Sequence, residues 1–103
     1  MDVKEIMKEI AGNPAISDLH LTAKKKPIIR HNGKLKVRDD YPAPLEMDQL
    51  NEIARDLMTD EQWETFKRDG EVDFSYSLPG YCRFRVNGYH QRDSTTLALR
   101  IIP

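Results

Sequence analysis

The chain has 103 residues, with 16 Lys and Arg against 17 Asp and Glu and a formal charge of -1. That length accommodates one domain, and a domain of this size buries roughly 65% of its unfolded surface, enough for a modest core. Its 39% hydrophobic and 32% charged content is globular rather than disordered, and the near-neutral balance argues against a dedicated nucleic-acid binder, which carries a basic excess.

Val3, Ile6, Met7 and Ile10 fall at helical spacing and predict an amphipathic helix that Gly12, Asn13 and Pro14 stop. Asp2, Lys4, Glu5, Lys8 and Glu9 leave no apolar core for a signal peptide there. Nowhere does a run of 18 apolar residues offer a membrane span, so a cytoplasmic location is expected. Residues 17–22 alternate, with Leu19 and Leu21 on one side and Asp18, His20 and Thr22 on the other, as in a half-buried strand. Lys24-Lys25-Lys26-Pro27 ends it.

Asn32-Gly33 is the strongest turn signal, because both residues tolerate the positive φ of a type I′ turn. A two-residue loop pairs His31 with Lys34 and Ile28 with Val37, so Ile28, Arg30, Leu35 and Val37 share one face. Ile29, His31, Lys34 and Lys36 share the other. Tyr41-Pro42-Ala43-Pro44 reads as an extended linker. Leu50, Ile53, Ala54, Leu57 and Met58 mark a second helix. Thr59 and Gln62 form a capping box opening a third, with Trp63 and Phe66 on its buried side and Gly70 closing it. Three alternating runs follow: Val72, Phe74, Tyr76 and Leu78; then, after the Pro79-Gly80 turn, Cys82, Phe84 and Val86; then Leu97, Leu99 and Ile101. The order α-β-β-β-α-α-β-β-β predicts an α+β domain: a mostly antiparallel β-sheet of about six strands flanked by three helices.

The balanced charge conceals a segregation. Residues 39–73 hold 12 acids and 3 bases, while the remainder holds 5 acids and 13 bases, clustered over residues 24–38 and 83–100. Two solvated faces explain such a split.

Several chemistries lack their residues. Cys82 is the single cysteine, which excludes an internal disulfide and a Cys-based zinc site and fits a reducing compartment. By parity it belongs in the core, where a thiol is inert. A P-loop around Gly33-Lys34 would need Gly at position 28 and Ser or Thr at position 35, and the chain has Ile28 and Leu35. His20, His31 and His90 fall on separate predicted strands without ligand spacing, so no metal site is expected. Asp39-Asp40 reads as a solvated strand end rather than an acid–base pair. No nucleophile, base and orienting group come together, so no catalytic residues are assigned.

The arginines of the last hairpin are unusual. Setting Phe84 opposite Ile101 and Val86 opposite Leu99 places Arg85 opposite Arg100 and Asn87 opposite Ala98, with Arg83, Arg85 and Arg100 all on the non-core face. Like charges directly opposed across strands are destabilising. Either an anion or partner engages them, since guanidinium matches carboxylate and phosphate, or they pair with Asp73 and Asp93.

Ser17-Asp18-Leu19-His20-Leu21, Pro27-Ile28-Ile29-Arg30 with Asn32-Gly33-Lys34-Leu35, Gly70-Glu71-Val72-Asp73-Phe74-Ser75-Tyr76, Arg83-Phe84-Arg85-Val86-Asn87 with Gln91-Arg92, and Leu99-Arg100-Ile101-Ile102-Pro103 occur in an order that resembles the pilus-retraction ATPases of type IV pili. These form the twitching-motility (PilT-like) branch of the type II/IV secretion ATPases. The resemblance covers essentially the whole chain. It implies a PAS-like N-terminal domain, residues 1–103, of a hexameric ring motor whose RecA-like domain, with the Walker motifs, ATP and Mg, lies outside this chain. No cofactor is expected on this domain alone, and no turnover.

The resemblance further implies that Arg85 and Arg100, with Arg83 and Arg92, contact ATP held by the C-terminal domain, coupling nucleotide state to ring motion. Partners would be motor domains of the same and neighbouring subunits and, indirectly, the inner-membrane pilus platform, placing the full protein peripherally at the pilus base. Asp18 and His20 are a strand's solvated face or a subunit interface. The sequence departs from the family at Asp93, where Gly usually follows the Arg, and at Gly88-Tyr89-His90, where Gly88 is expected to mark a bulge. Two other readings stay open: the same domain from a pilus-assembly or type II secretion ATPase, and a stand-alone PAS-like ligand sensor. Asn87 with Gln91-Arg92 points to the retraction branch.

Overall fold

A computed structural model describes residues 2–92 and 94–102. Its elements are α1 (Val3–Ala11), β1 (Ile16–Thr22), β2 (Ile28–His31), β3 (Lys34–Val37), α2 (Met47–Leu57), α3 (Asp60–Asp69), β4 (Glu71–Leu78), β5 (Cys82–Gln91) and β6 (Ser94–Ile102). The six strands form one sheet in the order β3-β2-β1-β6-β5-β4. Every neighbouring pair is antiparallel. The helices cover one face, with α1 against β1, α2 against β6, and α3 against β4 and β5.

Period-2 alternation decides what faces the helices. Leu19, Leu21, Val72, Phe74, Phe84, Val86, Leu97 and Leu99 are all buried there. They meet Val3, Ile6, Met7 and Ile10 of α1, Leu50, Ala54 and Leu57 of α2, and Phe66 of α3 in one core. At roughly 1.5–3 kcal/mol per fully buried large aliphatic or aromatic side chain, this burial dominates the favourable side of folding.

Local signals set the element ends. Asp2 caps α1 by accepting from the Glu5 N–H at 2.9 Å. Thr59 and Gln62 make the reciprocal capping box at 3.2 and 2.9 Å. Gly70 ends α3 with φ of 75°, a left-handed conformation that suits glycine. The β2–β3 hairpin has the register that Asn32-Gly33 implies, His31 opposite Lys34 and Ile28 opposite Val37, with φ of 50° and 80° at the turn.

Four expectations about the fold change. Tyr41-Pro42-Ala43-Pro44 is no passive linker. Tyr41 and Leu45 are buried, and the Leu45 carbonyl accepts from the Lys24 N–H at 2.6 Å while the Leu45 N–H donates to the Lys25 carbonyl at 3.0 Å. These contacts pin the segment to the β1–β2 turn. Arg38 stands beside it, donating to Asp40 at 2.8 and 2.7 Å and to Glu9 of α1. The hydrogen-bonded Arg38 guanidinium holds the Asp40 carboxyl down to about 2. Trp63 and Cys82 are only half-buried. The Trp63 ring lies beneath the Arg55 and Lys67 cations at 6.0 and 5.9 Å, and burial pushes the Cys82 thiol upward.

Gly88 marks no bulge. The β4–β5 and β5–β6 ladders run through it without a register shift. A Cβ there would meet Leu97 Cδ2 at 3.1 Å, Met58 Cε at 3.4 Å and Phe66 Cε1 at 3.5 Å. Glycine is thus the space into which the α2–α3 corner packs. Gly88→Val adds three carbons to this filled volume and is expected to cost about 2 kcal/mol, the scale of overpacking a core. A lower urea midpoint with an unchanged m-value would record it.

Candidate functional site

The sheet face turned away from the helices carries the polar chemistry. Strand pairing aligns one row across all six strands: Ser75, Arg85, Arg100, Asp18, Arg30 and Leu35, from β4 to β3. Arg85 stands opposite Arg100, and Asn87 opposite Ala98, as core-to-core pairing of β5 and β6 requires. A shallow depression on this face is lined by Asp18, His20, Asp73, Arg85, Asn87 and Arg100, among others.

The arginines are held differently. Arg85 donates to Asp73 through Nε at 3.2 Å and Nη2 at 2.9 Å, a bidentate pair open to solvent. The hydrogen bond it donates to Asp73 raises its already high pKa. Arg83 donates to Ser75 Oγ at 3.0 Å. Arg100 is exposed, and its guanidinium has no hydrogen-bond or ion-pair partner among the described residues. Arg92 is exposed at the β5–β6 turn with φ of 44°. It lies seven residues from Arg85 along an extended strand, roughly 23 Å away. The structure therefore groups Arg83, Arg85 and Arg100 and leaves Arg92 apart. Pairing with Asp73 holds for Arg85, while Asp93 lies outside the described residues.

Asp18 departs from the solvated face that alternation suggests. Its side chain is 4% exposed. Ser17 Oγ donates to Oδ1 at 2.6 Å. Oδ2 lies 2.7 Å from His20 Nε2 and accepts from Arg30 Nε at 3.3 Å. Arg30 also donates to the Gly33 carbonyl at 3.1 Å, tying the hairpin tip to this carboxylate. Burial alone would raise the Asp18 pKa, but the hydrogen bonds from Ser17, His20 and Arg30 together outweigh it and hold the value low. Arg30 carried no site role in the sequence reading. The hairpin places it beside Leu35, but its pairing with Asp18 depends on the β1–β2 register, which slips between Ile16 and Asp18.

Among the described residues, no three His, Cys, Asp or Glu side chains group as a metal site, and no helix is long and apolar enough to cross a membrane.

A group whose folded pKa is depressed stabilises the fold above its unfolded value and loses that contribution as the pH falls. Asp18→Asn is therefore expected to cost about 2 kcal/mol near neutral pH, the scale of hydrogen bonds to a charged group. The gap from the parent protein begins to close below about pH 4, the unfolded value, and narrows further as the pH falls through the lower folded one. Paired denaturation curves between pH 3 and 7 test this; a pH-independent gap contradicts the depressed carboxylate.

Along its whole length the chain is 40% identical to the type IV pilus retraction ATPase PilT of Pseudomonas aeruginosa, covering 29% of that protein. The solved structure of a pilus retraction motor PilT with bound ADP superposes on all of the chain with a TM-score of 0.88 and 36% identity, over 29% of that motor. The ATPase DotB of Legionella pneumophila shares the fold, with a TM-score of 0.76 and 21% identity over 97% of the chain and 28% of DotB. The chain thus spans under a third of the length of these relatives. No family model matches. In sequence over its full extent and in fold, the chain is an N-terminal domain of the PilT-like ATPases.

Proposed function

We propose that this chain is the regulatory and subunit-interface domain of a hexameric pilus-retraction ATPase, contributing arginines to ATP held by a separate RecA-like motor domain with Mg. The observation that carries this reading is the juxtaposition of Arg85 and Arg100 on the face away from the helices. Two guanidinium groups on adjacent strands match the oxygens of a phosphate chain. Mounted on a domain that moves relative to the motor, they couple nucleotide state to domain angle. Arg83 adds positive charge two residues along β5. Arg92, at the far end of the hairpin, would reach a different part of the nucleotide or a neighbouring subunit.

The partners in this reading are motor domains of the same and adjacent subunits and, through the ring, the inner-membrane platform of the pilus. The assembly would act on the cytoplasmic side, peripheral to the membrane. Asp18 and His20 fit a subunit contact through the half-exposed His20, with Asp18 fixing the imidazole from below. The similarity to DotB keeps a secretion ATPase as the second reading of the same domain.

Purified alone, this domain is expected to show no ATP hydrolysis and very weak ATP binding; measurable turnover would overturn the reading. In the longer protein carrying the motor domain, Arg85→Ala and Arg100→Ala should each lower ATPase activity about tenfold or more, the scale of losing one hydrogen bond to a charged group. Thermal melting should stay unchanged, because both side chains are exposed. Full activity in both variants would remove the arginine assignment.

A further inference from the structure

Arg85 and Arg100 face one another, yet their surroundings are unequal. The nearest strand-opposed carboxylate to Arg100 is Asp18, whose oxygens are engaged by Ser17, His20 and Arg30. That commitment leaves the Arg100 guanidinium available to solvent. Arg85 has the opposite situation. Asp73, one strand over on β4 and diagonal to it in the ladder, occupies its Nε and Nη2 together. A bidentate phosphate would use that same edge of the guanidinium. Asp73 also lines the depression between the two arginines, so its negative charge stands where an anion would enter.

We infer that Asp73 is a specificity-determining residue of this face, an internal competitor that withholds Arg85 until a highly charged phosphate chain displaces it. The inference rests on the reading of Arg85 and Arg100 as phosphate contacts. An anion first meets Arg100. It recruits Arg85 only by replacing a carboxylate that already satisfies two donors, and it must also overcome the repulsion from that carboxylate. Singly charged and weakly charged anions gain little from the exchange. A polyphosphate, with several oxygens spanning both side chains, recovers what it displaces.

The pair is exposed, with Arg85 69% and Asp73 45% accessible, so solvent screens it and the effect is moderate. Releasing Arg85 should tighten binding about fivefold, the upper end for an exposed ion pair. The test uses the 103-residue chain, ¹⁵N-labelled and titrated with inorganic tripolyphosphate at fixed ionic strength, following the arginine Nε–Hε signals. Asp73→Asn is expected to bind about fivefold more tightly than the parent chain. Asp73→Asn with Arg85→Ala should bind no more tightly than Arg85→Ala alone, because the gain acts through Arg85.

If Asp73→Asn binds no better while Arg100→Ala still weakens binding, the competitor role is overturned and the phosphate site stands. A gain from Asp73→Asn that survives removal of Arg85 also overturns it, since the effect would then be charge alone. If neither Arg85→Ala nor Arg100→Ala alters tripolyphosphate binding, both the phosphate reading and the inference fail.

Discussion

The central strand β6 fixes the geometry of everything else. It pairs with β1 on one side and β5 on the other, and its Leu97 and Leu99 are completely buried against the helices. Because successive side chains alternate, shifting either pairing by one residue would turn a row of leucines into water. The burial of those leucines therefore dictates that Arg100 points away from the helices, opposite Arg85 on one neighbour and Asp18 on the other. The arginine pair is a by-product of core packing, yet it is the feature of the open face that asks for a partner.

The charges on that face are arranged rather than scattered. A buried carboxylate is tolerable when hydrogen bonds replace its lost water, and Asp18 has Ser17, His20 and Arg30 around it. That network joins β1 to the β2–β3 hairpin and consumes the negative charge nearest Arg100. Asp73 does the equivalent at the other end of the row by holding Arg85. One guanidinium therefore stands uncompensated between two satisfied pairs. The helical layer has the reverse character. Asp48, Glu52, Asp56, Asp60, Glu61 and Glu64 are exposed along α2 and α3, so the domain presents an acidic side and an arginine-bearing side. Two such surfaces on one small domain suit a part that sits between charged neighbours, as in the ring assembly proposed above.

The sequence alone specifies the element order, all three helices, the hairpin at Asn32-Gly33 and the β5–β6 register. These follow from signals only a few residues apart: the 3.6 and 2.0 periodicities, a capping box, and two residues that accept positive φ. It also determined the arginine juxtaposition, because parity and one core pairing suffice to derive it. Tertiary structure alone decided what the individual charges touch. The burial of Asp18 depends on β1 meeting β2 across an irregular register, and that of Leu45 on a loop folding back over the β1–β2 turn. The role of Gly88 depends on where the α2–α3 corner lands. Each is a contact between segments distant in the chain, set by how the layers pack, and local pattern carries no record of it. For the same reason the charge balance, legible at once as a number, acquired meaning only when the fold gathered the exposed acids of α2 and α3 on one side and Arg83, Arg85 and Arg100 on the open face of the sheet.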